Sequence, residues 1–361
     1  MQVADWFSVD YSEAREKFLA AAAFAGAGLA SFRNPAQGPR GETLYTDAAW
    51  LGPEDAETVL MTCSATHGIE GFCGSGAQVG TFRSGILREL PRNFALLAVH
   101  AINPHGFAWQ RRVTEDNVDF NRNCIDHSGP HPRNGAYAEI HHLLVPAEWN
   151  GSSRDEADRG IENFIQTRGL AAFQAAVSGG QYDHPDGLFY GGRAPTWSNR
   201  TIHAIFERYL RTRRRVVFLD YHTGLGPSGY GELIGTHPPD SAGFARARSW
   251  FGDVTSPDDG SSSSAPIQGY IGMAMERALP RVEVTAVALE YGTLPVPEVL
   301  EALRADNWLH LRGDPKSAQG VAIKNQVRAA FYVETPLWKQ QVWHRAAEVT
   351  LKAARAVAGG N

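Results

Sequence analysis

The chain has 361 residues, 43% of them hydrophobic and 10% aromatic, and is therefore long enough to bury a large core. A formal net charge of -5 and a pI near 6.2 give it no general electrostatic attraction to nucleic acids or anionic membranes. We therefore expect a globular protein with neither a nucleic acid nor a membrane as its partner.

The first predicted element is a helix near the N-terminus, within "SEAREKFLAAAAFAG". The apolar stretch in this region differs from the core of a signal peptide because four acidic residues, Asp5, Asp10, Glu13 and Glu16, precede it where a signal peptide needs a basic segment. The three cysteines form an odd set in a long chain, which favours free thiols in a reducing compartment over a disulfide framework. No apolar run is long enough to span a bilayer, so a cytoplasmic location is the expectation.

Four apolar runs with little charge predict central strands. In chain order they read "TVLMTCSA", "FALLAVHAIN", "VVFLDYH" and "VEVTAVALEY". Such uniformly apolar runs are typical of strands covered on both faces, as in a mostly parallel sheet. Amphipathic helical patterns lie between them, for example "SNRTIHAIFERYLRTRRR" and "APIQGYIGMAMERAL". The alternation predicts an α/β fold with a mostly parallel mixed central sheet and helices on both faces.

The remaining segments predict loops and helices within one domain. The stretches "SGGQYDHPDGLFYGGRAPTWSNR" and "GDVTSPDDGSSSSAP" have the composition of loops, whereas the C-terminal part has helical patterns and no strand-rich segment. Neither an internal repeat nor a boundary between two cores is evident. We predict a single domain over residues 1–361 with a loop-rich insertion at about 125–200.

Three residues at the ends of predicted strands have the side chains of a metal site. His67 and Glu70 lie on a glycine-rich turn after the first apolar run, and His222 ends the third run. An open α/β sheet gathers functional groups at the carboxyl ends of its strands. Two histidines and a glutamate leave a fourth position open, which is the ligand set of a catalytic zinc site. This ligation favours one Zn2+ ion per chain, although it leaves other divalent metals open.

A fourth strand-end residue and a polar segment complete the candidate site. Glu290 is the single charged side chain in "VTAVALEYGTLP", where it is either a costly core defect or the proton carrier that hydrolysis at a metal needs. We favour the proton carrier. The segment 103–123 concentrates planar donors, namely Arg111, Arg112, Asn121 and Arg122. Such donors suit a carboxylate or a developing oxyanion, and a solvated polar loop is the alternative explanation.

In chain order, these pieces resemble the zinc carboxypeptidase superfamily, the carboxypeptidase A-like metallopeptidases, and most of all a bacterial branch of it. The matching motifs are His67-Gly-Ile-Glu70, Asn103-Pro-His-Gly106, Asp119-Phe-Asn121-Arg122-Asn123, His222 after a strand and Glu290 after the last core strand. They cover roughly residues 55 to 295. Each motif alone is weak evidence for the resemblance, whereas five motifs in the right order and at the ends of predicted strands are strong evidence.

The resemblance implies a role for each matching residue. His67, Glu70 and His222 would hold zinc. Asp119 would accept a hydrogen bond from the His67 ring nitrogen that faces away from the metal, which fixes the tautomer. Glu290 would act as general base towards water and then as general acid towards the leaving amine.

The resemblance also implies the residues that bind the substrate. Asn121 and Arg122 would bind its free carboxylate, and Arg112 would stabilise the tetrahedral oxyanion. Arg111 competes with Arg112 for this role, because the spacing to the Asn-Arg pair is shorter than in the digestive members of the family.

Two features depart from the family pattern. The digestive members place a mobile tyrosine over the substrate, and here we favour Tyr270 because its distance along the chain from Glu290 is broadly similar. Tyr230 and Tyr291 are the alternatives. The specificity pocket cannot be transferred, and the aromatic residues of the insertion around Phe189 either line the cleft or pack at the surface.

Three functions are consistent with the resemblance. We favour a metallocarboxypeptidase or related peptidase that hydrolyses an amide next to a free carboxylate. The second is an N-acyl amino acid deacylase of the aspartoacylase and succinylglutamate desuccinylase type, whose members carry a β-rich domain after the catalytic glutamate. The helical tail predicted here favours the peptidase. The third is an inactive binding module, against which the retention of all three ligands and Glu290 argues. The expected partner is a peptide or N-acyl amino acid with a free carboxylate.

Overall fold

The computed structural model describes residues 2–91 and 93–358, so the predicted domain range 1–361 extends beyond the described residues at both ends. Its centre is an eight-stranded mixed sheet with the order β1-β2-β4-β3-β5-β8-β6-β7. The strands are β1 (Gly28–Gln37), β2 (Thr43–Leu51), β3 (Thr58–Cys63), β4 (Phe94–His100), β5 (Arg215–Ser228), β6 (Gly231–Gly235), β7 (Val254–Thr255) and β8 (Glu283–Gly292). Strands β4, β3, β5 and β8 run parallel to one another. The predicted mixed sheet is confirmed.

Helices lie on both faces of this sheet, as predicted. They are α1 (Tyr11–Phe24), α2 (Gly71–Arg83), α3 (Pro104–Ala108), α4 (Phe120–Asn123), α5 (Gly135–Leu144), α6 (Ser152–Arg168), α7 (Leu170–Ser178), α8 (Trp197–Tyr209), α9 (Ala242–Phe251), α10 (Ile271–Ala278), α11 (Val296–Arg312), α12 (Ala318–Phe331) and α13 (Pro336–Ala358). Short 3-10 helices add Val3–Trp6, Gly68–Glu70 and Ile86–Glu89. The predicted N-terminal helix is α1, which begins after Asp10, whose carboxylate accepts a hydrogen bond from the Glu13 amide at 2.9 Å.

The four predicted central strands are β3, β4, β5 and β8. Every residue of β3 and β4 is buried, which explains their uniformly apolar sequences. The prediction missed β1, β2, β6 and β7. Strand β1 lies at the edge of the sheet with much of its length exposed, and β6 and β7 have only five and two residues, so none of these three has a long apolar signal.

Residues that alternate along the strands enter two separate apolar cores. Leu60 and Leu219 belong to the core that also contains residues of α1, α2, α11, α12 and α13. Met61 and Phe218 belong to the other core, which contains residues of α8 and α10. Because consecutive side chains of a strand point to opposite faces, the two cores lie on opposite sides of the sheet. Groups at the carboxyl ends of the central strands therefore lie between two layers of helices.

The insertion and the tail are both mainly helical. Helices α5, α6 and α7 occupy much of the insertion that we predicted to be rich in loops. Arg304 of α11 forms an ion pair with Asp158 of α6 at 2.5 Å, which attaches the insertion to the tail. The tail comprises α11, α12 and α13, and no strand follows β8 within residues 293–358, as predicted.

The three cysteines, Cys63, Cys73 and Cys124, are buried free thiols, as the odd count predicted. Burial raises the pKa of each thiol, so all three are protonated near neutral pH. Among residues 2–91 and 93–358, none of the helices is both long and apolar enough to cross a membrane.

Candidate active site

The turn that carries His67 and Glu70 follows β3 and packs closely against α3. A side chain at Gly68 would place its Cβ 2.0 Å from the carbonyl carbon of Gly106, so this approach requires glycine. The Gly68 amide donates to the Arg112 carbonyl at 3.1 Å, which joins the turn to the arginine-rich segment. The glycines around the motif therefore allow two segments of the site to lie against each other.

The side chains of His67, Glu70 and His222 converge on one buried point. The Nδ1 atom of His67 lies 2.8 Å from Glu70 Oε1, and His222 Nδ1 lies 2.9 Å from Glu70 Oε2. The two Nδ1 atoms are 3.2 Å apart. One ligand atom from each residue lies within 4.8 Å of the other two. Two imidazole nitrogens and a carboxylate that face one another in the interior are a donor set that fits one metal cation.

The charged forms of Glu70 and His222 stabilise each other, as the directions of their pKa shifts indicate. Burial alone would raise the pKa of Glu70, but the two histidines outweigh it and hold that pKa well below its ordinary value. Burial alone would lower the pKa of His222, but Asp220 and Glu70 raise it well above its ordinary value. Because a metal ion and a proton would occupy the same imidazole nitrogens, metal binding at this group would compete with protonation.

Each histidine also contacts an aspartate through its other ring nitrogen. His67 Nε2 lies 3.3 Å from Asp119 Oδ1, the partner that the resemblance implies. His222 Nε2 lies 2.9 Å from Asp220 Oδ2, and Thr66 Oγ1 donates to the other Asp220 oxygen at 2.7 Å. The sequence analysis missed Asp220. The available signal was an acid two positions before His222 in an apolar strand, which puts both side chains on the same face.

Glu290 lies beside the group on the neighbouring strand. It is 7% exposed, and its Oε1 accepts a hydrogen bond from the Leu225 amide at 3.0 Å. Burial, with a further contribution from the negative charge of Glu70, raises the pKa of Glu290 to about 8. A carboxyl group whose pKa is raised towards neutrality is suited to accepting and donating a proton.

Arg112, Asn121 and Arg122 line the same cavity as these residues. Arg112 Nε donates to Asp119 at 2.9 Å, and its Nη2 lies 2.7 Å from His67 Nε2. Arg122 donates to the Ser178 carbonyl from Nε at 3.2 Å and from Nη2 at 2.5 Å, and to the Asn121 carbonyl from Nη1 at 3.0 Å. Burial lowers the pKa of Arg122 to about 10, so its guanidinium remains charged at neutral pH.

Arg111 lies elsewhere, so the structure does not bring it into the site. It is absent from the described lining of the cavity, and its guanidinium is engaged by Asp306 at 3.1 Å and by Asn117 at 3.0 Å. Of the two arginines that compete for the predicted oxyanion role, Arg112 lines the cavity and Arg111 does not. Spacing along the chain could not show this, because Asp306 lies 195 residues away from Arg111.

Of the three candidate tyrosines, Tyr270 lines the cavity. Its hydroxyl donates to the Thr236 carbonyl at 2.5 Å. Tyr291 is fully buried and donates to the Val342 carbonyl, and Tyr230 is 51% exposed. Phe189 also lines the cavity and packs over the guanidinium of Arg112. This aromatic residue of the insertion therefore faces the cleft.

The cavity has a volume of about 160 Å³ and lies at the carboxyl ends of β5 and β8. One side of it is apolar and is formed by α11 and the end of α12, namely Val296, Val299, Leu300, Leu303 and Phe331. The sequence analysis did not single out these residues. Their pattern resembles that of any amphipathic helix, and only packing shows which of the apolar residues face the cavity.

Comparisons with known proteins identify a matching family and several solved structures with a similar fold. The family described as "Protein of unknown function (DUF2817)" matches residues 7–345. No curated protein matches the chain by sequence. Bovine thrombin-activatable fibrinolysis inhibitor, solved in complex with tick carboxypeptidase inhibitor, is 10% identical, with 98% of each chain covered and a TM-score of 0.51.

Two further solved structures have lower TM-scores. Carboxypeptidase A from Helicoverpa armigera is 12% identical over 89% of this chain and 74% of its own, with a TM-score of 0.46. Murein-tripeptide amidase MpaA from Escherichia coli O157 is 16% identical over 82% of this chain and 97% of its own, with a TM-score of 0.34. The chain belongs to the DUF2817 family, and its fold is similar to that of bovine thrombin-activatable fibrinolysis inhibitor.

Proposed function

We propose that the protein is a zinc-dependent, carboxypeptidase-like hydrolase that cleaves an amide bond adjacent to a free carboxylate. One observation carries this proposal: a buried carboxyl group with a raised pKa, Glu290, shares a cavity with a three-residue metal-binding group and with Arg122. A purely structural ion-pair network has no need for a buried carboxyl group whose pKa is raised. The likeness of fold to carboxypeptidases supports the same class of reaction.

The metal-binding residues would be His67, Glu70 and His222. A zinc ion held by them would polarise the scissile carbonyl and increase the acidity of water. Asp119 and Asp220 would orient the two imidazole rings through the nitrogens that face away from the metal.

The chain's own residues account for the proton transfers. Glu290 would accept a proton from the water molecule as its oxygen adds to the carbonyl carbon. It would deliver that proton to the nitrogen as the carbon–nitrogen bond breaks, so that one water is consumed and an acid and an amine are released. Arg112, which lines the cavity next to His67, would stabilise the negative charge that develops on the carbonyl oxygen.

Arg122 and Asn121 would bind the carboxylate of the substrate. Three of the five N–H groups of Arg122 donate to backbone carbonyls, which fixes the guanidinium and leaves two N–H groups. A buried guanidinium with remaining donors is stabilised by an anion that reaches it from the cavity. Tyr270 lines the same cavity and would contact the substrate.

An N-acyl amino acid deacylase is the alternative within this reaction class. We favour the peptidase because α11, α12 and α13 follow the Glu290 strand, where deacylases of the aspartoacylase type carry a β-rich domain. An inactive binding module is less consistent with the complete set of His67, Glu70, His222 and Glu290.

Product analysis tests the proposal and separates the two activities. Zinc-loaded protein and chelator-treated protein would be incubated with a mixed pool of peptides and N-acyl amino acids, and the products would be identified by mass spectrometry. Release of single C-terminal residues in the zinc sample alone is the expected result. Cleavage confined to the N-acyl amino acids would support the deacylase, and an absence of hydrolysis in both samples would refute a hydrolase.

A further inference from the structure

The cavity has a charged side and an apolar side that belong to different layers of the fold. Asn121 and Arg122 form the charged side on α4, where the Asn121 side chain accepts a hydrogen bond from the first amide of α10 at 3.2 Å. The apolar side comes from α11 and α12 on the opposite face of the sheet. His222 and Glu290, which project from the sheet itself, lie between the two sides.

The apolar side is held in place beside the metal-binding residues. The Phe331 carbonyl accepts a hydrogen bond from Thr223 Oγ1 at 2.7 Å, one residue after His222. Gly224 has a φ of +128°, and a Cβ there would lie 3.0 Å from the Phe331 ring, so glycine allows this ring to pack against β5. Every cavity-lining residue of α11 in the described chain is aliphatic.

Two charged residues of α11 form ion pairs with the insertion and do not line the cavity. Arg304 pairs with Asp158, and Glu301 forms an ion pair with Arg154. These contacts hold α6 against α11.

A second set of contacts continues around the cavity. Gln174 of α7 donates to the Ser263 carbonyl at 3.3 Å, and the Ser263 amide donates to the buried carboxylate of Glu232 at 3.2 Å. The insertion and the serine-rich loop therefore both contribute lining residues, such as Gln174 and Ser264, to the cavity of about 160 Å³. Pockets that hold drug-sized ligands span roughly 300–1,000 Å³, so this one fits a smaller molecule.

We propose, resting on the function proposed above, that the site selects short amides with an apolar acyl group. The carboxylate of the substrate binds Arg122, the amide lies at Glu290, and the acyl group packs against Val299 and Leu303. The substrates are amino acids with a free α-carboxylate that carry one apolar acyl group or one apolar aminoacyl residue on nitrogen. Hydrolysis of this amide by water releases an apolar carboxylic acid, or an apolar amino acid, and a free amino acid.

Five substrate pools test this inference with zinc-loaded protein. In each pool the C-terminal amino acid is varied over all twenty residues, so an unknown preference at that position does not affect the comparison. The pools differ in the group attached to the nitrogen of that amino acid. This group is isovaleryl, acetyl, succinyl, a single leucyl residue, or a hexapeptidyl group whose own last residue is leucine. Mass spectrometry follows the release of the C-terminal amino acid.

The isovaleryl pool should react at least about tenfold faster than the succinyl pool, because the apolar side would desolvate the second carboxylate of the succinyl group without a partner. The leucyl pool should also react at least about tenfold faster than the hexapeptide pool, because the cavity fits a small molecule. Similar rates for all five pools would overturn this inference and leave the proposed function standing. Hydrolysis of none of them would overturn the proposed function and this inference with it.

Charge substitutions on α11 give a second test. Leu300 is only half-buried, so Leu300→Lys and Leu300→Glu are expected to fold, which thermal unfolding would check. Leu300→Lys should increase the succinyl-to-isovaleryl rate ratio at least about fivefold, whereas Leu300→Glu should not increase it. Leu311→Lys, on the same helix at a position that is 38% exposed and outside the cavity, should leave the ratio unchanged. An equal ratio in all three variants would overturn the inference.

Discussion

His222 and Glu290 are directly paired residues in the parallel strands β5 and β8. One supplies a nitrogen to the proposed metal-binding group, and the other is the buried carboxyl group with a pKa of about 8. Because both belong to the hydrogen-bonded core of the sheet, the backbone ladder fixes their separation. The sheet thus supports both proposed parts of the reaction, metal binding and proton transfer.

The first prediction concerns Glu290. Glu290→Gln should retain zinc and lose hydrolysis by roughly 10²–10⁴-fold, the usual contribution of a positioned general base, because the amide cannot accept the proton. Steady-state kinetics and zinc content by mass spectrometry check this. Glu298→Gln, at an exposed position in the first turn of α11, is the matched control and should behave like the parent protein. Full activity of Glu290→Gln would contradict the proposed mechanism.

The second prediction separates the ligands from their aspartate partners. His67→Ala should lose both zinc and hydrolysis. Asp220→Asn keeps all three ligands and should weaken zinc binding by roughly 10–100-fold, because His222 loses the carboxylate that orients its ring. Competition with a chelator of known affinity measures both effects. His203→Ala, at an exposed position on α8, should leave the affinity unchanged. Unaltered affinity in His67→Ala would exclude this metal site.

The third prediction concerns substrate binding by Arg122. Arg122→Lys retains a positive charge but loses the planar pair of donors, so kcat/KM for a substrate with a free carboxylate should fall by about ten- to a hundredfold. When a carboxamide replaces the carboxylate of this substrate, kcat/KM should already be low for the parent protein. The Arg122→Lys substitution should then change kcat/KM little. Arg111→Lys, outside the cavity lining, should affect neither substrate in this way. An equal loss for both substrates would show that Arg122 does not bind the carboxylate.

The fourth prediction is a dependence of stability on pH. The carboxylate of Asp306 is 2.5 Å from Lys324 Nζ and 3.1 Å from Arg111 Nε. Burial opposes ionisation, but these two cations lower its pKa from 3.8 to about 2. Because the folded pKa lies below the unfolded one, ionised Asp306 stabilises the fold above about pH 4. This contribution, about 2 kcal/mol, is lost as the pH falls from about 4 to about 2.

Asp306→Asn should therefore lower the free energy of unfolding at pH 7 by at least about 2 kcal/mol and reduce its decline between pH 4 and 2. Urea unfolding at a series of pH values measures both changes. Asp240→Asn, at an exposed position, should keep the acid dependence of the parent protein. If Asp306→Asn declined as steeply as the parent protein, the carboxylate would not be the titrating group.

The sequence was sufficient to identify the central strands and the groups at their ends. The apolar runs of β3, β4, β5 and β8 are properties of short segments, and a charged residue such as Glu290 stands out within them. Parallel strands also end at one edge of a sheet, so His67 and His222 could be brought together by topology alone. Strand β1 was not predicted because it lies at the edge of the sheet with much of its length exposed, so its sequence is not uniformly apolar.

The sequence by itself therefore determined the four central strands and the placement of His67, Glu70, His222 and Glu290 at their carboxyl ends, because each depends on local pattern and strand order. Only the tertiary structure decided that Arg112 and not Arg111 lines the cavity, since the partner of Arg111 is the distant Asp306. It alone also revealed the apolar side of the cavity, since helices far apart in the chain pack around it. Contacts between remote segments leave no periodic pattern in a single sequence, and these contacts shape the cavity.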